Sequence, residues 1–194
     1  MLEYSGGMVS RPFLYTETKQ TAKLMVAGVS KDEIKSKAIN DNIYQVPSAD
    51  RANGVMNTAY RRLSVFDDNL VKAIAESDIT TSKVLVFIGI MRTDRLVFEF
   101  MHEVFREKVI LGDMTIKSVD LDKFFDAKKA QSDIVAKFSE STVKKLKSSY
   151  LRILYEIGLL TENNDIKLVN IDYKVEEHLK ANGMTAYLNA IMGE

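Results

Sequence analysis

Residues 132–172 read SDIVAKFSESTVKKLKSSYLRILYEIGLLTENNDIKLVNID, and this stretch decides the fold. Its pattern is a helix, a turn, a longer basic helix and a hairpin, the outline of a winged helix-turn-helix. Val143, Leu146, Tyr150, Ile153 and Ile157 recur at steps of three and four, the spacing that lines one face of an α-helix and faces it to a core. At about 100° per residue, Lys144, Lys145, Ser148 and Arg152 fall on the opposite face, with Lys147 at its margin. No acidic residue interrupts the run from Ser141 to Tyr155.

Gly158 ends the helix, because glycine takes the left-handed conformation that closes a helical C-terminus. Two apolar-rich runs follow, Leu159 to Glu162 and Ile166 to Ile171. Between them Asn163-Asn164-Asp165 supplies residues that tolerate turn conformations. This small hairpin is the expected wing, with Lys167 placed to touch a backbone phosphate.

Outward from that stretch, the remainder reads as helices. The chain has 194 residues, 46% hydrophobic and 28% charged, which is ordinary for a globular protein and excludes disordered and fibrous classes. Lysine plus arginine equals aspartate plus glutamate at 27 each, so affinity for nucleic acid must come from local patches rather than from an overall basic charge. There is no cysteine, which excludes disulfides, thiolate catalysis and the common zinc-finger frameworks and suits a reducing cytoplasm. The N-terminus lacks a signal-peptide pattern. The most apolar run, Val84 to Met91, falls far short of the ~20 residues that span a bilayer and reads as a buried helix.

Met1 to Leu14 is expected to be an extended arm docking through Phe13 and Leu14. Thr16 caps a helix to about Ala27, and Gly28 stops it. Ser30 and Glu33 have capping-box spacing, and Val29 and Ile34 stand where a hydrophobic staple closes. Thr16 to Asn40 is therefore a second helix-turn-helix outline, a geometry also common in all-α proteins that never touch DNA. After an interruption at Asn42 to Pro47, Ser48 caps a helix to about Phe66 that carries Arg51, Arg61 and Arg62. These arginines are either solvated or paired with carboxylates, or Arg61 and Arg62 belong to a nucleic-acid-facing patch.

Two helical segments fill Asp67 to Met91, and Asp94 opens a strongly periodic helix to about Leu111. Gly112 to Val119 marks the expected boundary between an N-terminal helical domain, residues 1–112, and a C-terminal winged-helix-like domain, residues 113–194, with a short strand at Met114 to Ile116. Asp120 starts the next helix, and Ser132 to Phe138 precedes the basic one. Lys174 to Ala181 and Met184 to Met192 complete the chain. The expected fold class is mainly α with one small β-hairpin.

The sequence lacks a P-loop, a G-x-G-x-x-G fingerprint, an H-E-x-x-H pair and a G-x-S-x-G elbow. His102 stands among Glu99, Glu103 and Arg106, the setting of a surface residue. Asp67-Asp68 and Glu176-Glu177 resemble helix-start or solvated acids rather than a metal cage. Neither catalytic residues nor metal ligands nor a cofactor are therefore expected.

Read as a set, Arg11-Pro12-Phe13-Leu14-Tyr15, Glu17, Ala27-Gly28-Val29-Ser30, Asn42 and Gln45 resemble the BrxA family of bacterial BREX phage-defence systems. Arg61-Arg62-Leu63, Asp120 with Phe124-Phe125, Ser141-Thr142 with Lys145, and Gly158-Leu159-Leu160 agree, so the resemblance covers nearly the whole chain. It implies a non-enzymatic cytoplasmic component of a system that restricts phage while protecting host DNA by methylation. It also implies an all-α bundle similar to the antitermination protein NusB, and DNA binding, with RNA as a further ligand suggested by the NusB likeness. Other proteins of the same system are implied partners.

Two functions follow from the residues themselves. In one, the basic helix holds double-stranded DNA. Lysine prevails over arginine on its outward face, which favours phosphate contacts over base readout and hence low sequence specificity. In the other, the winged unit and the apolar C-terminal helix form a protein-interaction scaffold, since a winged fold does not dictate function.

Overall fold

The computed structural model describes residues 2–194; Met1, the first residue of the expected arm, lies outside the described residues. The chain is mainly helical and divides into two compact units, one formed by Phe13–Gly89 and the other by the residues up to Pro12 together with Ile90–Glu194.

In the Phe13–Gly89 unit, α1 (Tyr15–Val26) packs on α3 (Ala49–Leu63) and α4 (Asp68–Glu76), and α2 (Lys31–Asn40) packs on α3. Helix α1 begins before Thr16, behind Leu14 in a left-handed conformation (φ 49°), so Thr16 sits within the first turn and is not its cap. The capping box of α2 is formed as read: Ser30 Oγ accepts from the Glu33 amide at 3.3 Å, and the Glu33 carboxylate accepts from the Ser30 amide at 2.9 Å. Val29 and Ile34 join one apolar cluster with Ala38, Tyr44, Val55 and Met56, which closes the staple. Asn42 takes a positive φ and braces the break between α2 and α3 by bonding both backbone groups of Val46 at 3.0 Å. Ser48 caps α3 and Asp67 caps α4 through their side-chain oxygens.

Helix α5 (Ile79–Thr93) is buried along Val84–Ile88 and at Ile90 and Met91, as expected of a helix apolar all round. Its Gly89 lies against α3. A Cβ there would come within 2.7 Å of the Arg62 carbonyl oxygen and 3.0 Å of the Phe66 ring. Gly89→Ala therefore destabilises by about 1–3 kcal/mol despite alanine's better helix propensity, because backbone must move to admit it. A fall in melting temperature with unchanged far-UV circular dichroism below the transition is the expected reading.

In the other unit, Asp94 caps α6 (Arg95–Phe100). The helix then widens through a π turn at Met101–Phe105 before continuing as α7 (Arg106–Ile110), so the single regular helix expected from Asp94 to Leu111 carries an extra residue in its middle. That turn presents Glu103 to Lys128 of α8 (Ser118–Gln131). Lys128 is only 2% exposed, and its ammonium meets Glu103 at 2.6 Å and Glu99 at 2.7 Å. Glu99 also accepts from Tyr4 at 2.9 Å and pairs with Arg95 at 2.6 Å, and Arg95 stacks over the Tyr4 ring. The N-terminal arm is thus anchored through Tyr4 and the buried Met8 as well as at its Phe13 end.

The segment Gly112–Val119, expected as a domain boundary, lies inside this unit. Lys108 bridges it by pairing with Asp113 at 2.6 Å and Asp120 at 2.9 Å, and α12 (Thr185–Met192) packs against α7 on its N-terminal side. Helix α8 starts before Asp120, whose carboxylate instead accepts from the Lys117 amide at 2.7 Å. The helix read as Ser132 to Phe138 is shorter: α9 spans Asp133–Ala136 with Ser132 as its cap. Helix α10 (Glu140–Ile157) follows, and α11 (Tyr173–Ala181) precedes α12.

Among the described residues, β-type pairing consists of two antiparallel bridges, Leu160 with Ile166 and Thr115 with Asp165. Thr161 donates to Asp165, Lys167 to Leu159, and Ile166 to Met114, so 114–116, 164–167 and 159–161 run side by side. The run expected to extend to Ile171 pairs only at its start; residues 168–172 have no regular secondary structure.

Candidate nucleic-acid interface

Helix α10 exists because its two ends are signalled and one face is apolar. Ser139 Oγ accepts from the Thr142 amide at 3.2 Å, and Gly158, at φ 86°, closes the C-terminus. Val143, Leu146, Tyr150, Ile153 and Ile157 are all buried, as their spacing requires. Tyr150 packs between Phe100 and Phe125, with ring centroids 5.2 and 5.9 Å away. Its hydroxyl makes no hydrogen bond to the protein, and burial pushes it well above the ordinary tyrosine range. Tyr150→Phe should therefore raise stability by about 1 kcal/mol, since it removes a desolvated, unpartnered hydroxyl and keeps the ring. Chemical denaturation reads this as a higher midpoint at an unchanged slope.

The outward face gathers four of the residues read from sequence. Lys144, Lys145, Ser148 and Arg152 are all exposed. Among the described residues no carboxylate lies within ion-pair distance of Lys144 or Lys145. Arg152 is 78% exposed at its side chain, and its Nε holds Glu156 at 2.7 Å, one turn on. Glu156 thus supplies a countercharge just beyond the acid-free run. Ser148 Oγ donates to the Lys144 carbonyl at 3.1 Å.

Lys147 is used differently. It is half-buried, forms an ion pair with Asp122 of α8, and lies over the Phe125 ring at 5.7 Å. It fastens α10 to α8, and it holds the Asp122 carboxyl below its ordinary range through that hydrogen bond. Lys167 is exposed on the segment that returns beside Leu159, directly after α10.

Arg61 and Arg62 lie in the other unit, on α3. Arg61 is exposed, but Arg62 is 2% exposed and donates to the Phe13 carbonyl at 2.6 Å. Its guanidinium is committed to holding the chain at Phe13, which corrects its assignment to a nucleic-acid patch. Sequence reasoning missed one residue of the α10 face. Tyr155 is 49% exposed, and at about 100° per residue it lies within roughly 20° of both Lys144 and Ser148. The helical wheel carries that signal, but a tyrosine beside an apolar stripe is easily counted with the core.

The described residues hold no group of three or more histidine, aspartate or glutamate side chains placed to bind a metal ion, and no helix is long and apolar enough to cross a membrane.

The BrxA family model matches residues 2–183. A curated relative, "BREX protein BrxA" of Bacillus cereus (strain H3081.97), is 40% identical over 196 residues, covering 98% of this chain and 97% of the relative. A second, of the same printed name, from Paramagnetospirillum magneticum (strain ATCC 700264 / AMB-1), is 21% identical, covering 93% and 89%. The crystal structure of an uncharacterized protein from Magnetospirillum magneticum matches with a TM-score of 0.82 at 20% identity, covering 98% of this chain and 99% of that one, which shows a shared fold. By the family model and the first relative together, this chain belongs to the BrxA family.

Proposed function

We propose that this chain is a non-enzymatic DNA-binding accessory component of a BREX phage-defence system, holding duplex DNA mainly by its phosphates and with little sequence specificity. The family membership and the relatives' printed names support the defence setting. A cytoplasmic location accords with such a role. One observation carries the DNA reading: α10 buries its apolar face and presents an exposed face that is basic and free of acids from Ser141 to Tyr155, in a chain of zero formal net charge. Helix α10 has 18 residues, about 27 Å, long enough to lie across or within a major groove about 12 Å wide.

In this reading α8, α9 and α10 with the short pairing at 159–167 act as a winged helix-turn-helix. Residues 114–116 supply the third extended segment, and Lys167 stands at the wing. Lysines are compact charges suited to phosphates, so the binding is dominated by backbone contacts. Titrating labelled duplexes of unrelated sequence over a series of salt concentrations tests this. Affinity should fall linearly in log–log form with salt and differ little between sequences. Salt-independent binding, or none, removes the proposal.

A second reading has its own observation. Ile110, Leu111, Met114 and Val119 are all exposed within ten residues of chain, Leu111 at 77%, and such exposure can mark a protein contact. In that reading the chain is a scaffold within the defence complex. The NusB-like reading of the bundle adds RNA as a ligand of the same basic face, and a structured RNA in the titration separates it from duplex DNA.

A further inference from the structure

The outward stripe of α10 changes chemistry along its length. At its N-terminal part, Lys144 and Lys145 are exposed without a carboxylate partner among the described residues. Towards the C-terminus the charge is partly offset: Arg152 is paired with Glu156 at 2.7 Å, and Glu162 stands at the Tyr155 hydroxyl, 3.4 Å away. A phosphate gains less at that end than beside Lys144 and Lys145, because Glu156 offsets part of the Arg152 charge. What the end offers is the half-exposed ring of Tyr155, in line with Lys144 and Ser148 and braced at its hydroxyl by the loop after α10. Lys144 and Tyr155 are eleven positions apart, about 16 Å along the helix axis.

An aromatic face and a base face attract each other when the base is unstacked, whereas intact duplex offers only base edges in its grooves. We infer that Tyr155 is a base-stacking residue of this site, and that the preferred ligand is a nucleic acid whose backbone is held by Lys144 and Lys145 while an unpaired base meets the Tyr155 ring. This rests on the nucleic-acid reading above and narrows its ligand: a strand with unpaired bases, such as a melted or mismatched segment of DNA, over a perfect duplex. The stacking is tolerant of base identity because every base has a π-face.

Fluorescence anisotropy with four labelled probes tests it: a perfect duplex, the same duplex with a short mismatch bubble, the DNA single strand, and an RNA strand of that sequence. The full chain should bind the bubble and the DNA strand more tightly than the perfect duplex. Tyr155→Ala should lose roughly 5- to 100-fold on those two probes and change perfect-duplex affinity less than about twofold. Tyr155→Phe and Tyr155→Trp should retain the preference, and this rescue separates stacking from loss of the Glu162 contact. An equal loss on all probes, a Phe variant as weak as the Ala variant, or no preference for unpaired bases overturns the inference without overturning the proposal that the parent chain binds duplex. Failure of every probe to bind overturns both readings. Tighter binding of the RNA strand than the DNA strand keeps the stacking role and reassigns the source of the unpaired base.

Discussion

Changing Lys144, Lys145 and Arg152 together to glutamate should lower duplex affinity by at least about tenfold at moderate salt, near 1.4 kcal/mol. The slope of log affinity against log salt should shallow by about one unit for each phosphate the helix no longer neutralises. The size of the effect follows from what these side chains do in the free protein. They are exposed, and only Arg152 has an ionic partner, so reversing them leaves no buried charge and the fold persists. Lys147→Ala is the informative companion. It breaks the Asp122 pair and the contact over Phe125 without touching the outward face, so it costs about 1 kcal/mol or less of stability and leaves the salt slope unchanged. A charge-reversed protein that is folded and binds duplex as the parent does would move the interface away from α10.

The largest expected effect on stability lies at Lys128. Its ammonium is almost wholly buried between two carboxylates, and Glu99 is also held by Arg95 and Tyr4. Lys128→Ala should destabilise by about 3 kcal/mol, the lower end for removing one partner of a buried pair, because Glu103 keeps access to water. For a chain of this size that lowers the melting temperature by roughly 10 °C. Lys128→Met should cost less, since its stem still packs where the lysine lies over Phe124.

The cluster also sets a pH window. Burial pulls the Lys128 ammonium down, but hydrogen bonds to Glu103 and Glu99 outweigh it and hold it above its ordinary 10.5. Burial pushes Glu99 up, but bonds from Lys128, Arg95 and Tyr4 hold it below its ordinary 4.5. A raised lysine contributes stability that is complete below 10.5 and lost as pH rises through its folded value. A depressed carboxyl contributes stability that is complete above 4.5 and lost as pH falls through its folded value. The stability difference between the parent and Lys128→Met should therefore be flat between those limits and shrink beyond either.

Local signals were readable because they depend on few residues. The Ser30–Glu33 box, the Ser48 and Asp94 caps and the Gly158 stop each rest on one short spacing, and each forms as read. The buried stripe of α10 was readable for the same reason, since five apolar residues at helical spacing leave one inward face. Features set by distant partners were not. Arg62 looks like any exposed arginine of a basic pair until Phe13, forty-nine positions away in sequence, presents its carbonyl to it. Lys147 sits at the margin of the basic face, and only the placement of Asp122 decides that it binds inward. The π turn at Met101–Phe105 leaves the apolar periodicity nearly intact and so has no sequence signature, yet it delivers Glu103 to Lys128.

The chain contains no cysteine, so a single introduced thiol is a unique point of attachment. Ser148→Cys carrying a short photocrosslinker places a probe at the centre of the outward face of α10, and Leu111→Cys places the same probe on an exposed turn of the same unit. Irradiation with duplex DNA should yield a covalent adduct from position 148, suppressed by high salt, and little from position 111. Efficient crosslinking from 111 with none from 148 would contradict the assignment of α10 as the helix that meets DNA.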